Sequence, residues 1–270
     1  MDPEIAPPGI DVTKPHPARR YDYWLGGKDN WEADRESADM VAGAFPTVQF
    51  AALENRNFLR RVVTFLAGEA GIRQYLDIGA GLPTVGNVHE IAQDIAPASR
   101  IVYVDNDPIV AIHARSLLDS AADGRTAYVE ADVRDPEDIL SRPEVIETLD
   151  FTRPVALILA AVMHFVVDEE RPYEKVRRLS DALPSGSYLV MSHATSDHLT
   201  EEELVESEEA NQRSGIPFQL RSTAEFSRFF DGYELVPPGI GSIMTWRPEG
   251  WKAHPRPEAV SMLGAVARIP

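Results

Sequence analysis

Cysteine is absent from all 270 residues, which excludes a disulfide framework, a thiolate metal site and a cysteine nucleophile together. Basic charge is also scarce. The chain holds 26 Lys and Arg against 43 Asp and Glu, a formal charge of −17, and only Lys14, Lys28, Lys175 and Lys252 are lysines. Such a surface repels phosphate backbones and anionic lipid, so bulk nucleic-acid or membrane binding is not expected. Long apolar runs are missing as well: nothing approaches the roughly 18 uninterrupted residues that span a bilayer. The start, Met1-Asp2-Pro3-Glu4, does not read as a signal peptide, and a cytoplasmic location is expected.

What is present is enough apolar content, 44%, to bury one α/β core with an appendage. Residues 1–17 carry Pro3, Pro7, Pro8, Pro15 and Pro17 and are expected to form an extended or disordered arm. A helical N-terminal lid or cap is expected over 18–70, with Leu53, Phe58, Leu59, Val62 and Leu66 at helical spacing. From residue 71 onward short apolar runs alternate with helical ones, the pattern of βαβ units and a largely parallel, Rossmann-like sheet with helices on both faces. Strands are expected at 74–80, 100–106, 126–132, 155–162, 187–193, 233–236 and 243–246, the last two as an antiparallel pair at the end of the sheet. Asn87 with Glu90, Thr200 with Glu203 and Ser222 with Glu225 read as capping boxes.

The sharpest feature is Tyr75-Leu76-Asp77-Ile78-Gly79-Ala80-Gly81-Leu82-Pro83-Thr84, an apolar strand ending in an acid and then a glycine-rich turn. Glycines there let backbone approach a ligand at the carboxyl edge of the sheet. The nicotinamide fingerprint wants a third glycine where Thr84 stands, and asks for no acid at 77. Asp105 ends the next strand, where an acid can accept the ribose hydroxyls of an adenosine. Asp132 ends the third, in reach of an adenine amino group, with Val133 to pack on the ring. Asp105 and Asp132 can alternatively cap the helices that follow.

These residues resemble the class I S-adenosylmethionine-dependent methyltransferases, and within them an actinobacterial subfamily first catalogued as a domain of unknown function. Three blocks carry the likeness: Ala18 to Asn30, Gly71 to Thr84, and Val102 to Pro108. The resemblance implies a seven-stranded sheet in the order 3-2-1-4-5-7-6 with an antiparallel last strand. It also implies S-adenosylmethionine as cofactor, bound by Asp77, Gly79, Ala80, Gly81, Asp105, Asn106, Asp132, Val133 and Ala160. Pro83 replaces the third glycine of the usual motif. The substrate does not come with the likeness.

Methyl transfer asks the protein mainly to align the acceptor and exclude water, with a base only where the acceptor carries a proton. His164 after the fourth strand and His193 at the end of the fifth are the candidates for that base. His193, Asp197 and His198 match no metal-ligand spacing, so no metal is expected. Gly26-Gly27 permits a tight bend in the N-terminal block. Arg19 or Lys28 can then pair with the methionine carboxylate while Tyr21 and Tyr23 shield the sulfonium; the other reading is a purely structural cap. The expected activity is methyl transfer to a small-molecule acceptor, and the alternative is a non-catalytic sensor of the same cofactor. The sequence leaves the oligomeric state open.

Overall fold

The computed structural model describes residues 10–84, 86–117, 123–248 and 259–270, with backbone alone for 114–117. Its strands are β1 (Gln74–Ile78), β2 (Arg100–Asp105), β3 (Arg125–Glu130), β4 (Ala156–Ala160), β5 (Tyr188–Ala194), β6 (Glu234–Leu235), β7 (Gly241–Ser242) and β8 (Met262–Arg268). They form one sheet in the order β3-β2-β1-β4-β5-β8-β6, with β7 also paired to β8. β1 to β5 are parallel, and β6, β7 and β5 all run antiparallel to β8. The glycine turn after β1 and the tips of β2, β3 and β4 therefore meet at one edge.

The helices are α1 (Pro17–Trp24), α2 (Glu32–Ala44), α3 (Val48–Gly68), α4 (Val88–Ile95), α5 (Pro108–Leu117), α6 (Pro136–Ser141), α7 (Pro143–Thr148), α8 (Pro172–Asp181), α9 (Glu201–Arg213) and α10 (Thr223–Ser227). The three capping boxes start α4, α9 and α10, where each glutamate closes on the backbone N–H of its N-cap.

Alternation along the strands divides the core between two faces. Leu76 and Ile78 of β1 join Val102, Val104, Leu157 and Leu159 in one layer. Tyr75 joins Ile101, Ala156 and Ile158 in the other, against Phe58, Val62 and Leu66 of α3. Those three α3 side chains are fully buried, each contributing about 1.5–3 kcal/mol by area. Leu53, expected on the same stripe, is 51% exposed because its place in the helical turn points it away from the sheet.

The end of the sheet departs from the sequence-based expectation. The strand between β5 and β6 is Met262–Arg268, not the apolar run 243–246. Ile243, Met244 and Trp246 are buried in a turn instead, where Arg61 of α3 donates from Nε to the Trp246 carbonyl at 2.9 Å. β6 and β7 do not pair with each other; both pair with β8. β8 can pass under α3 because residue 264 is glycine. A Cβ there would lie 2.8 Å from Phe58 Cζ and 2.9 Å from Ile243 Cγ2. Gly264→Ala is therefore expected to cost about 2 kcal/mol by overpacking, read as a lower urea midpoint with unchanged slope. An unchanged midpoint would show that the crossing has slack.

At the N-terminus, residues 1–9 lie outside those described. Ile10 is buried with Trp31, Leu82, Ile109 and Val110 and His16 reaches Asp107 at 3.0 Å, so the stretch 10–16 is anchored at both ends while Asp11, Thr13 and Lys14 stay exposed. His16 caps α1 by accepting from the Ala18 N–H.

Candidate active site

The glycine turn is held open by backbone geometry that suits only glycine. Gly79 (φ +74°) and Gly81 (φ +67°) are left-handed. The Gly79 N–H donates to the Val104 carbonyl at 2.8 Å, and a Cβ on Gly79 would meet Val162 at 2.6 Å. A Cβ on Gly81 would instead point into open space. That space is a cleft of about 240 Å³ lined by Asp77, Gly79, Ala80, Gly81, Asp105, Asn106, Asp132, Val133 and Ala160, with Tyr21 of α1 and Asn55 and Arg56 of α3 across from them.

The cleft holds two carboxylates that burial makes reluctant to ionise. Asp77 shares the α3 face of β1 with Tyr75, and its pKa is pushed up to about 7 by burial, with Arg56 pulling it down and Asp105 pushing it up. Among the described residues nothing hydrogen-bonds its carboxylate. Asp105 is raised too, again by burial first; its oxygens accept from Gly81 N–H at 2.8 Å and Asp107 N–H at 3.0 Å. Each of these oxygens keeps an acceptor site. Asp132 accepts from the Asn106 amide at 2.8 Å and pairs with Arg134 at 3.2 Å.

S-adenosylmethionine fits this donor set: a buried carboxylate lacking a partner suits its ammonium, and a backbone cradle with an acceptor at the β2 tip suits its ribose.

Four expected site residues lie elsewhere. Arg19 is buried and its guanidinium binds Asp107 through Nε at 2.8 Å and Nη2 at 2.9 Å, so its charge is already compensated. Arg19 and His16 hold the Asp107 carboxylate well below its usual range and clamp α1 to the start of α5. Lys28 is exposed and lines neither the cleft nor the second cavity beside it. Tyr23 reaches Asp39 at 3.3 Å, away from the cleft. His193 is fully buried with both ring nitrogens engaged, Nδ1 with the Ala194 carbonyl at 2.7 Å and Nε2 with Arg221 at 2.8 Å. Burial drops its pKa to about 3, and it has no route to a substrate.

A second cavity, about 600 Å³, lies beside the cleft and shares the walls Pro17, Tyr21, Ala161 and Phe165 with it. His164 lines only this cavity. It is 6% exposed, and burial, then neighbouring His193, Arg20 and Arg221, hold its pKa well below the usual imidazole value. The long 3.5 Å contact from Ala194 N–H to Nδ1 favours the tautomer protonated on Nε2.

Between the cavities Ala161 takes a left-handed conformation, φ +56°, a strained state of the kind that collects at active sites. Its N–H donates to Ser192 Oγ at 2.9 Å, and Ser192 donates to Asn55 Oδ1 at 2.6 Å. Asn55 Nδ2 donates to Tyr21 Oη at 3.1 Å, and Tyr21 donates to the Ala52 carbonyl at 2.8 Å. One aligned chain thus ties β5, β4, α3 and α1 across the junction. Sequence reasoning did not single out Arg56, Asn55 or Arg20, because each sits in an ordinary helical pattern whose facing neighbour only tertiary packing supplies.

A parallel sheet of this order, with glycine turn and strand-tip acids opening on a cleft, defines the S-adenosylmethionine-dependent class I methyltransferases. The chain belongs to the S-adenosyl methyltransferase family whose model matches residues 3–270. It is similar to a DUF574 family protein of Streptomyces avermitilis, 49% identical, covering 96% of this chain and 99% of that one with a TM-score of 0.92. A candidate methyltransferase of Thermobifida fusca is 42% identical over 97% of each chain, TM-score 0.89. An O-methyltransferase family protein of Burkholderia thailandensis, 15% identical at TM-score 0.54, shares the fold alone. No match was found among curated proteins.

Proposed function

We propose that the protein transfers the methyl group of S-adenosylmethionine to a small molecule held in the second cavity. The observation that carries this is the shared wall at Pro17, Tyr21, Ala161 and Phe165, which brings a large apolar chamber against the cofactor cleft. When bound, the cofactor supplies an electrophilic methyl on a sulfonium. In this reading Asp105 holds the ribose, Asp132 and Val133 the adenine, and Asp77 the ammonium. Arg56, rather than Arg19 or Lys28, faces the methionine carboxylate. Tyr21 and Phe165 shield the junction from water. The absence of a long apolar helix among the described residues and the acidic charge accord with a cytoplasmic setting.

Calorimetry with S-adenosylmethionine, its demethylated product and NAD tests the cofactor assignment. Asp105→Ala is expected to weaken binding about tenfold to a hundredfold by removing a charged acceptor. Binding of NAD alone would overturn the reading. Transfer of radiolabelled methyl from the cofactor to small-molecule extract, and not to protein or nucleic-acid fractions, tests the acceptor.

His164, neutral and protonated on Nε2, acts here as a hydrogen-bond donor to the acceptor rather than as a base. At saturating cofactor, kcat is expected to show no inflection near the ordinary imidazole value of about 6.5. His164→Ala is expected to lower kcat roughly tenfold, and His164→Gln, which keeps a donor, less. An inflection near 6.5 that His164→Gln abolishes would restore the base.

A further inference from the structure

The second cavity is lined by a buried cation that forms no ion pair among the described residues and that Asp34 compensates only through space. Arg20 of α1 is 1% exposed and lines the cavity but not the cofactor cleft. Its Nε has no hydrogen-bond partner. Nη1 has only two long contacts of 3.4 Å, to the hydroxyls of Ser37 and Ser214. The nearby acid, Asp34, spends its oxygens on the N–H groups of His16 and Trp31, both at 2.9 Å, and forms no ion pair with Arg20. Glu203, the one acid on the cavity wall among the described residues, is exposed and closes the α9 capping box with Thr200. A guanidinium on the cavity wall with no ion pair and only long hydrogen bonds keeps donor capacity that a carboxylate can use.

The surrounding wall is aromatic. The Arg20 guanidinium carbon lies 5.0 Å from the Trp24 ring centroid and 5.9 Å from that of Phe165, and Tyr21, Phe45 and Phe218 extend the same surface. A single guanidinium matches the charge and plane of a carboxylate; a phosphate dianion calls for a second cation, and the described cavity wall supplies no other Lys or Arg.

We propose that the methyl acceptor is an aromatic carboxylic acid, its acid group anchored by Arg20 and its ring packed among Trp24, Phe165 and Phe218. The inference rests on the second cavity being the acceptor site. Arg20 lines the second cavity and not the cofactor cleft, so the carboxylate is the anchor and a different group of the acceptor receives the methyl. Burial has lowered the Arg20 pKa to about 10 against the opposing pull of Asp34, and a bound carboxylate would add to that compensation.

The test uses the full chain saturated with S-adenosylhomocysteine and two matched probe pairs: salicylate with salicylamide, and 1-hydroxy-2-naphthoate with its amide. By calorimetry the acids are expected to bind at least about tenfold more tightly than the amides. Arg20→Gln should reduce that preference to within about twofold, and Arg20→Lys should retain part of it. S-adenosylhomocysteine affinity should stay within about twofold of wild type in both variants, which separates a failure of this inference from a failure of cofactor binding. Equal binding of acid and amide, a preference that survives Arg20→Gln, or no binding of either acid would overturn the proposal. Should Arg20→Gln fail to fold, the wild-type comparison decides the matter without it.

Discussion

Arg221→Gln is expected to unfold the loop that joins the two cavities and to cost about 3–5 kcal/mol of stability. Arg221 is fully buried. It donates to the carbonyls of Met163 at 3.1 Å and Val166 at 3.0 Å, to His193 Nε2 at 2.8 Å and to Asp168 at 2.7 Å. Its guanidinium carbon also lies 5.6 Å from the Phe229 ring centroid. Glutamine is too short and has too few donors to serve two carbonyls, an imidazole and a carboxylate at once. The carbonyls and His193 would be left buried without partners, which costs more than the bonds themselves were worth. Because the segment 163–166 carries His164 and Phe165, the loss should appear both as a drop in melting temperature of about 10 °C and as loss of the second cavity's shape. Urea denaturation and calorimetry with the aromatic acids read the two effects. A stability loss under about 1 kcal/mol would mean that water replaces the guanidinium and that the segment is held by other contacts.

The second large effect opposes stability to cofactor binding at Asp77. With a pKa near 7 in the fold and about 3.9 in the unfolded chain, the native state keeps a proton that the unfolded state has released. Stability is therefore lost as pH rises through that window and is flat above it. Between about pH 5 and pH 7 the penalty accumulates at 1.36 kcal/mol per unit, roughly 2–3 kcal/mol in total. Asp77→Asn carries no such charge. Its advantage over wild type should grow by that amount between about pH 5 and pH 8, measured as the difference in unfolding free energy without cofactor. The same variant should bind S-adenosylmethionine at least about tenfold more weakly, because the ammonium loses its carboxylate. A pH-independent difference would place the proton elsewhere in the cleft.

Much of the cofactor cleft was legible beforehand because its residues are local in sequence. Asp77, Gly79 and Gly81 sit on a single strand and turn, Asp105 ends β2 and Asp132 lies two residues past β3, so strand order alone brings them to one edge. The capping boxes were legible for the same reason, each being closed within three residues. Reading failed where a partner comes from far along the chain. Arg19 and Arg20 are adjacent and chemically identical, yet Arg19 lands on Asp107 and Arg20 in the second cavity. His164 follows β4 and His193 lies at the end of β5, but of the two only His164 lines either the cleft or the second cavity. The run 243–246 has the composition of a strand, whereas β8 holds Gly264, Ala265 and Ala267, small residues that read poorly as a strand until α3 is seen lying across them.

The sequence by itself determined the parallel part of the sheet, its glycine-turn edge and the acids that line it, because strand alternation and glycine backbone freedom act over a few residues. The tertiary structure decided which arginine is ion-paired and which lines a cavity without an ion pair, and which histidine reaches a cavity wall. Those outcomes depend on what packs opposite each side chain, and burial without a partner is a property of neighbours that the chain brings together only when folded.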